Sequence, residues 1–236
     1  MRFLTYQFTD PGGRSPNEDS VGFLENGGIH AWIAADGLGG HSHGELASRK
    51  AVETMTDALA EPQELDRDYV SGIFRKMNDA VNEMHGPLTT AVCAFSDGRK
   101  LFYGNNGDSR FIFIRNREVL HHSNDHSLAY LAYKSGKISY DEIPEHPAQN
   151  RLYHSLGFES EFAAEFYPPV TLQPGDAFIL CTDGFWELLT ENEMIRTLNI
   201  SPNAEEWMNM LLDILRTRLK PTSDNYTAVC VIVRED

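Results

Sequence analysis

The feature that most constrains the fold of this chain is a hydrophobic run that ends in an aspartate and a cluster of glycines. Residues 32–35 are apolar and lead into Asp36, and three of the next four residues are glycine. Glycine lets the backbone adopt positive φ and come close to a ligand. An apolar run beside an acid recurs three more times. Four strands are therefore predicted to carry an aspartate at one end: Asp36, Asp108, Asp183 and Asp224.

Two interpretations of this pattern are open. Asp-Gly and Asn-Gly pairs are common hairpin turn signals, so each site taken alone is better explained as a turn. Taken together, the aspartates adjoin strands that are apolar enough to be buried, and carboxylates gathered there repel one another unless cations neutralise them. If the four strand ends converge, they form an all-oxygen site for hard divalent cations such as Mg²⁺ or Mn²⁺.

The composition supports a sizeable core and argues against two classes of partner. The 236 residues are 41% hydrophobic, and 20 basic residues face 35 acidic ones, which gives a net charge of −15. Such a charge argues against binding to nucleic acid or to an anionic membrane surface. No apolar run approaches the ~20 residues of a membrane span, and the first ten residues alternate in polarity, unlike a signal peptide.

The three cysteines predict the compartment. Each lies inside an apolar run, and an odd number without a Cys-x-x-Cys pair is not a disulfide framework: Cys93, Cys181 and Cys230. We expect small buried thiols in a reducing compartment and therefore a cytoplasmic protein.

The order of strand-like and helix-like segments predicts the architecture. Two amphipathic helices follow the first strands, the second capped by Asp66, and two more precede the last strand, one opened by a capping box at Thr190. Turns at residues 97–98 and 107–108 predict an antiparallel sheet over residues 88–114. We expect a four-layer αββα sandwich of class α+β, with two antiparallel sheets flanked by helix pairs. No linker or repeat interrupts the chain, so residues 1–236 are predicted to form a single domain.

A charged loop near the N-terminus is a second candidate for the site. Residues 14–20 hold Arg14 ahead of the adjacent acids Glu18 and Asp19. A guanidinium can bind two phosphate oxygens at once, and either acid can complete a metal shell. Taken on their own, these residues are better explained as a surface loop with a local ion pair. Residues 121–160 are less regular, and a long connection of this kind often covers a site.

Eight short motifs occur in the order and spacing of one known family. The chain resembles the metal-dependent protein phosphatases, the type-2C serine/threonine phosphatase family, in its bacterial branch, over residues 14–233. The motifs are Arg14-x-x-Asn17-Glu18-Asp19, Asp36-Gly37-x-Gly39-Gly40, Thr89-Thr90, Gly107-Asp108-Ser109-Arg110, Asp125-His126-Ser127, Asn150-Arg151 with Leu156-Gly157, Asp183-Gly184 and Asp224-Asn225.

The resemblance implies a centre of two Mn²⁺ or Mg²⁺ ions with a weaker third one. Asp36 would bridge the two ions and the Gly37 carbonyl would bind one of them. Asp183 and Asp224 would hold the other. The Glu18–Asp19 pair would support the second ion directly or through water. Asp108, with Asp183, matches the weaker third site.

The resemblance also implies the reaction and the partners. The protein is expected to be an enzyme that hydrolyses phosphoserine and phosphothreonine by attack of a metal-bridging water, with Arg14 binding the phosphate. Residues 128–156 correspond to the flap that shapes substrate access. Bacterial members typically oppose a serine/threonine protein kinase, so the expected partners are phosphoproteins and such a kinase. The alternative is a catalytically silent pseudophosphatase that acts as a regulatory binding module. Such proteins usually lose a metal aspartate, and this chain keeps all four.

The general acid for the leaving alcohol is not assigned by the resemblance. Many eukaryotic members carry a histidine directly after the Asp-Gly, where this chain has Leu38. His41 follows closely and a histidine can protonate an alkoxide near neutral pH, although an exposed loop residue is its simpler interpretation. A metal-bound water is the other candidate. His126 is expected to make a structural hydrogen bond near the flap.

Overall fold

The computed structural model describes residues 1–38, 43–61, 64–158 and 162–235. A 3-10 turn at Tyr140–Glu142 follows the third helix. Within these ranges the elements follow in the order β1 (Arg2–Asp10), β2 (Asp19–Asn26), β3 (Ile29–Asp36), α1 (Gly44–Ala58), α2 (Arg67–Asn82), β4 (Ala91–Ser96), β5 (Lys100–Asn106), β6 (Arg110–Arg115), β7 (Glu118–His122), α3 (Leu128–Lys134), β8 (Glu165–Phe166), β9 (Val170–Thr171), β10 (Ala177–Cys181), α4 (Asp183–Trp186), α5 (Glu191–Leu198), α6 (Ala204–Arg216) and β11 (Tyr226–Arg234).

The strands form two antiparallel sheets. One sheet has the order β1-β11-β10-β6-β7, and the other has the order β2-β3-β4-β5-β8, with β9 also paired to β5. Strands from the two ends of the sequence are neighbours, since Arg2 pairs with Arg234 and the register holds as far as Asp10 and Tyr226.

Three hydrophobic clusters define four layers. The cluster between the sheets contains Trp32 and Phe178, whose rings meet edge to face with centroids 5.1 Å apart. The next residue of β3, Ile33, points to the opposite face and packs with Phe74 of α2 and with residues of α1. On the outer face of the other sheet, Trp207 of α6 packs with residues of α4 and α5. The predicted αββα sandwich of two antiparallel sheets between helices is confirmed.

The helix starts follow the capping signals in the sequence. The Asp66 side chain accepts the N–H of Tyr69 at the start of α2, and Thr190 forms a reciprocal capping box with Glu193 at the start of α5. Helix α6 begins one residue after Asn203, whose side chain accepts the N–H of Glu206. In the described part of the chain, the helices are too short or too polar to cross a membrane.

The structure corrects the predicted sheet over residues 88–114. Strand β5 belongs to one sheet and β6 to the other, so the turn at Gly107 carries the chain between sheets and does not close a hairpin. Gly107 has φ +105°, and a Cβ there would lie 2.6 Å from Thr90. Strand β4 also starts later than predicted, and the edge strand β7 was not predicted.

Candidate metal centre

The ends of strands from both sheets surround one open cavity of about 440 Å³. Asp36 is the last residue of β3, Asp108 lies in the crossing between β5 and β6, Asp183 begins α4 just after β10, and Asp224 stands just before β11. All four line the cavity, together with Gly37 and Arg14. The fold therefore brings together six of the residues that the sequence marked as candidates.

Hydrogen bonds from the two residues before β4 fix the main chain of Asp36. Its N–H donates to Thr90 Oγ1 over 3.0 Å, and its carbonyl accepts the Thr89 hydroxyl and the Thr90 N–H, both at 2.8 Å. The Thr90 hydroxyl is also 2.6 Å from that of Ser109, beside Asp108. The Thr89-Thr90 motif therefore links the strand end that carries Asp36 to the segment that carries Asp108.

Burial and mutual repulsion make these carboxyls weak acids. Burial, and then the charges of Asp183, Asp19 and Asp108, raise the pKa of Asp36 well above its ordinary value. Burial first and Asp183 second raise the pKa of Asp224 to about 6. The carboxyls of Asp36 and Asp183 are in hydrogen-bonding contact. Such a cluster requires protons or cations to offset its charge.

Two buried carboxylate oxygens have no hydrogen-bond partner within the described residues, Oδ1 of Asp19 and Oδ1 of Asp108. An unpartnered buried oxygen is costly unless a ligand contacts it. Together with Asp36, Asp183 and Asp224 these groups form an all-oxygen donor set, the kind that hard divalent cations prefer. In the described ranges no three His, Cys, Asp or Glu side chains already surround one point as metal ligands would. The backbone brings these donor residues close together. The carboxyls of Asp36 and Asp183 contact each other instead of surrounding a common point.

Glu18 and Asp19 are neighbours in sequence but have different surroundings, and neither lines the cavity in the described structure. Asp19 is buried opposite Asp36 in the β2–β3 pairing, and its Oδ2 accepts the Thr182 hydroxyl at 2.8 Å. Burial raises the pKa of Asp19 to about 7. The Glu18 carboxylate accepts the N–H of Gly44 at the start of α1. Asp19 therefore belongs to the aspartate cluster, whereas Glu18 faces α1.

Two glycines allow the loops around the cavity to approach one another. A Cβ on Gly37 would lie 2.2 Å from the carbonyl oxygen of Gly44, and one on Gly184 would lie 2.1 Å from that of Asn225. Asn225 links the same loops, because its side chain accepts the Glu18 N–H and donates to the Pro11 carbonyl, both at 2.8 Å. Any side chain at these two glycines would push the aspartate-bearing loops apart.

Arg14, the predicted phosphate ligand, is held by a predicted metal ligand. Its Nη2 lies 2.8 Å from Oδ2 of Asp224, and 48% of the Arg14 side chain is exposed. This geometry leaves donors of the guanidinium at the cavity surface, because Arg14 also lines the cavity.

The structure describes one of the two histidines that the sequence analysis considered. His41 lies outside the described residues. His126 is buried, and its ring Nδ1 accepts the Gly107 N–H at 3.2 Å, while the backbone N–H of His126 donates to the Gly107 carbonyl at 2.9 Å. The structural hydrogen bond expected for His126 is present, and it fixes the crossing beside Asp108.

The flap and the residues just after it form one wall of the cavity. The sequence alone did not show which of these residues line it. We call the following residues the flap wall: Asn150, Arg151, Leu152, His154, Ser155 and Phe158. Burial and the neighbouring His126 lower the pKa of His154, so this side chain is neutral near pH 7. A buried ion pair lies beside the flap: the Arg110 guanidinium donates to both oxygens of Asp125, stacks 3.4 Å from the ring centroid of Trp186 and donates to the hydroxyl of Tyr140 in the flap at 3.1 Å.

Comparison with known proteins agrees with this arrangement. The family model described as Protein phosphatase 2C matches residues 12–220. The serine/threonine phosphatase stp of Listeria monocytogenes is 30% identical over 231 residues, which covers 92% of this chain and 90% of the relative.

Solved structures share the fold along the whole chain. The serine/threonine phosphatase of S. agalactiae has a TM-score of 0.87 at 25% identity and covers 99% of this chain and 100% of its own. The catalytic domain of the serine/threonine protein phosphatase PstP, solved with two manganese ions, has a TM-score of 0.80 at 25% identity, with 99% of each chain covered. The family match spans most of the sequence and agrees with the fold and the aspartate cavity, so this chain is a phosphoprotein phosphatase of the protein phosphatase 2C family.

Proposed function

We propose that this protein removes phosphate from phosphoserine and phosphothreonine residues of other proteins, with divalent cations held by its aspartates. The observation that carries the proposal is the convergence of four aspartates and Arg14 on one cavity, with buried carboxylate oxygens that lack a partner in the described structure. The names of the relatives, which are serine/threonine phosphatases, support the same substrate class.

The donor set fits two Mn²⁺ or Mg²⁺ ions. Asp36 and the Gly37 carbonyl would hold one ion, and Asp36, Asp183 and Asp224 the other, with Asp19 or Glu18 in support. Asp108 and Asp183 would form a weaker third site. Bound cations would supply positive charge for the phosphoryl oxygens and would activate water. The two manganese ions of the related PstP domain support this assignment.

The residues of the chain itself bind and orient the substrate. The Arg14 guanidinium has donors facing the cavity and would bind two phosphoryl oxygens. Burial raises the pKa of the thiols of Cys93, Cys181 and Cys230, so they stay protonated and are unsuited to act as nucleophiles. Water is therefore the proposed nucleophile, and the aspartates provide the oxygen-rich surface on which it is oriented.

The proton for the leaving alcohol is proposed to come from His41 or from water. His154 lines the cavity, but its lowered pKa leaves it neutral and makes it a weaker candidate at pH 7. The mutant His41→Gln should shift the alkaline limb of the pH–rate profile if His41 is the acid.

The proposal extends to the organisation and setting of the protein. Residues 1–236 are proposed to act as one catalytic domain, which the pairing of β1 with β11 supports. A serine/threonine kinase and its target proteins are the proposed partners in the cell. A cytoplasmic location is supported by the three free, buried cysteines. No observation favours the pseudophosphatase alternative, because Asp36, Asp108, Asp183 and Asp224 are all present and line the cavity.

Phosphate release from a phosphothreonine peptide tests the proposal. Purified protein should release phosphate with Mn²⁺ or Mg²⁺ and stop when EDTA is added. A folded sample that releases no phosphate with either ion, from phosphothreonine or phosphoserine peptides, would contradict it. Faster turnover of small phosphate esters than of any phosphopeptide would contradict the assignment of proteins as substrates.

A further inference from the structure

The cavity has two chemically different sides. The aspartates and Arg14 form one side, and the flap wall forms the other, where Leu152 and the 44% exposed Phe158 give an apolar surface. Within the described ranges, Arg14 and Arg151 are the arginine or lysine side chains that line this cavity. When the phosphate of a bound peptide reaches the aspartates, the residues that flank the phosphorylated one must therefore lie near Arg151.

The two arginines differ in what they contact. Arg14 lies 2.8 Å from Asp224, and its charge offsets part of the rise that burial causes in the pKa of Asp183 and Asp224, so Arg14 belongs to the aspartate side. Arg151 is exposed and has no acidic group within 4.0 Å among the residues that the structure describes. Arg151 lines the cavity, and its guanidinium has no protein partner in that part of the chain.

The backbone of Arg151 is fixed although its side chain is exposed. The Arg151 carbonyl accepts the N–H of Leu128 at 2.9 Å, and two residues later the Tyr153 N–H donates to the His126 carbonyl at 2.9 Å. His126 is bonded in turn to Gly107, next to Asp108. The position of Arg151 relative to the aspartates is thus set by a short chain of hydrogen bonds, as selection of one substrate position requires.

We propose that Arg151 is a specificity-determining residue that binds the carboxylate of an acidic residue close to the phosphorylated one. The inference rests on the proposed function and names the substrate class for the same cavity. The rest of the molecule opposes such substrates, because the chain carries a net charge of −15. The Arg151 guanidinium at the flap wall offsets that repulsion locally and offers two donors to a carboxylate.

Pairs of phosphothreonine peptides test the inference. Each pair differs only in glutamate against glutamine at one of the three positions on either side of the phosphothreonine. At one or more positions the wild-type protein should prefer glutamate by about threefold to tenfold in kcat/KM, mainly through KM. Arg151→Ala should bring that ratio to about one, because kcat/KM falls more for the glutamate peptides than for the glutamine peptides. Arg151→Lys should keep part of the preference, and Arg151→Glu should reverse it.

A matched arginine provides the control. Arg67 is exposed at the first turn of α2, whose other end reaches the flap near Val81. The 16 residues of α2 place Arg67 about 20 Å further along, so Arg67→Ala should keep the wild-type ratio.

Two results would overturn the inference. One is a wild-type protein that does not distinguish glutamate from glutamine at any position. The other is an Arg151→Ala variant whose kcat/KM falls by the same factor for the glutamate and the glutamine peptide. That result would mean that Arg151 binds the scissile phosphate or maintains the structure of the flap. Fluorescence anisotropy of the labelled peptides with Asp36→Asn protein gives the same ratio without turnover. Tighter binding of the glutamate peptide that is lost in Arg151→Ala supports the inference even if no turnover is seen. Equal binding of the two peptides contradicts it.

Discussion

The Arg14 guanidinium lies 2.8 Å from the Asp224 carboxylate, so the proposed phosphate ligand and a proposed metal ligand share one ion pair. A cation bound to Asp224 would compete for the carboxylate oxygen that now accepts from Arg14. Metal binding and phosphate binding are therefore expected to be coupled, since a cation on Asp224 releases guanidinium donors for the substrate.

Substitution of Arg14 should weaken substrate binding more than turnover. Arg14→Ala is expected to raise KM and to lower kcat/KM by about tenfold or more, because charge-assisted hydrogen bonds to the phosphoryl group are lost. Arg14→Lys keeps the positive charge but lacks the planar guanidinium, so its kcat/KM should fall between those of wild type and Arg14→Ala. Steady-state kinetics on one phosphothreonine peptide measure both constants. An unchanged KM in Arg14→Ala would refute the role given to this residue.

The stability of the metal-free protein should fall as the pH rises, because of the aspartate cluster. Burial raises the pKa of Asp19 from 3.8 to about 7. A raised pKa in the folded state means that the stabilising contribution is present below about pH 4 and is lost as the pH rises through about 7. With EDTA, Asp19→Asn should be less affected, and at pH 8 it should exceed wild type by on the order of 3 kcal/mol in the free energy of unfolding.

Urea unfolding between pH 4 and pH 8 measures this difference. Asp57→Asn changes an exposed acid on α1 and should keep the wild-type profile. Saturating Mn²⁺ should stabilise wild type more at pH 8 than at pH 5, because protons compete with the cation. Parallel profiles for wild type and Asp19→Asn would contradict the electrostatic account of the cluster.

Close packing at Gly184 should make even a methyl group costly. The Cβ of Gly184→Ala would lie 2.1 Å from the Asn225 carbonyl oxygen, so the loops carrying Asp183 and Asp224 must separate. We expect a loss of about 1–3 kcal/mol in the free energy of unfolding together with a large loss of activity. Gly72→Ala is the control, since its Cβ would meet nothing within 4 Å in the interior of α2. It should stabilise the protein by about 0.5–1 kcal/mol with activity unchanged, as thermal melts and kinetics would reveal.

The buried pair of Arg110 and Asp125 should contribute to stability through the cost of separating its members. Both side chains are at most 6% exposed, so Asp125→Ala leaves a buried guanidinium without a counter-charge. We expect a loss of about 3–5 kcal/mol in the free energy of unfolding. The exposed pair of Arg216 and Asp213, 3.7 Å apart on α6, provides the control, and Asp213→Ala should change the same quantity by less than about 0.5 kcal/mol. Equal losses in the two variants would contradict this explanation.

Most of the layered fold could be predicted because its signals are local. The caps at Asp66 and Thr190 and the periodicity of the helices fix where α2 and α5 start, and apolar runs fix the central strands. Strand β7 was missed because it is a half-exposed edge strand of five residues without a continuous apolar run. The crossing at Gly107 resembles a hairpin turn in sequence, and only the sheet topology separates the two.

The site was predicted as a set of residues but not as a network. Four strand ends with aspartates pointed to convergence, yet the ion pair of Arg14 with Asp224 joins residues 210 positions apart and leaves no local pattern. Arg151 stands in one of the family motifs, but Arg151 and His154 both lie in a segment without periodicity, so the sequence could not show that they line the cavity.

The most direct test of the central claim combines calorimetric titration of Mn²⁺ with phosphate release, for wild type and Asp36→Asn. The account predicts that wild type binds at least two ions and releases phosphate from a phosphothreonine peptide. Asp36→Asn should stay folded, bind fewer ions and lose at least about a hundredfold in activity. A folded Asp36→Asn protein with wild-type Mn²⁺ binding and full activity would contradict the claim that the converging aspartates form the catalytic metal centre.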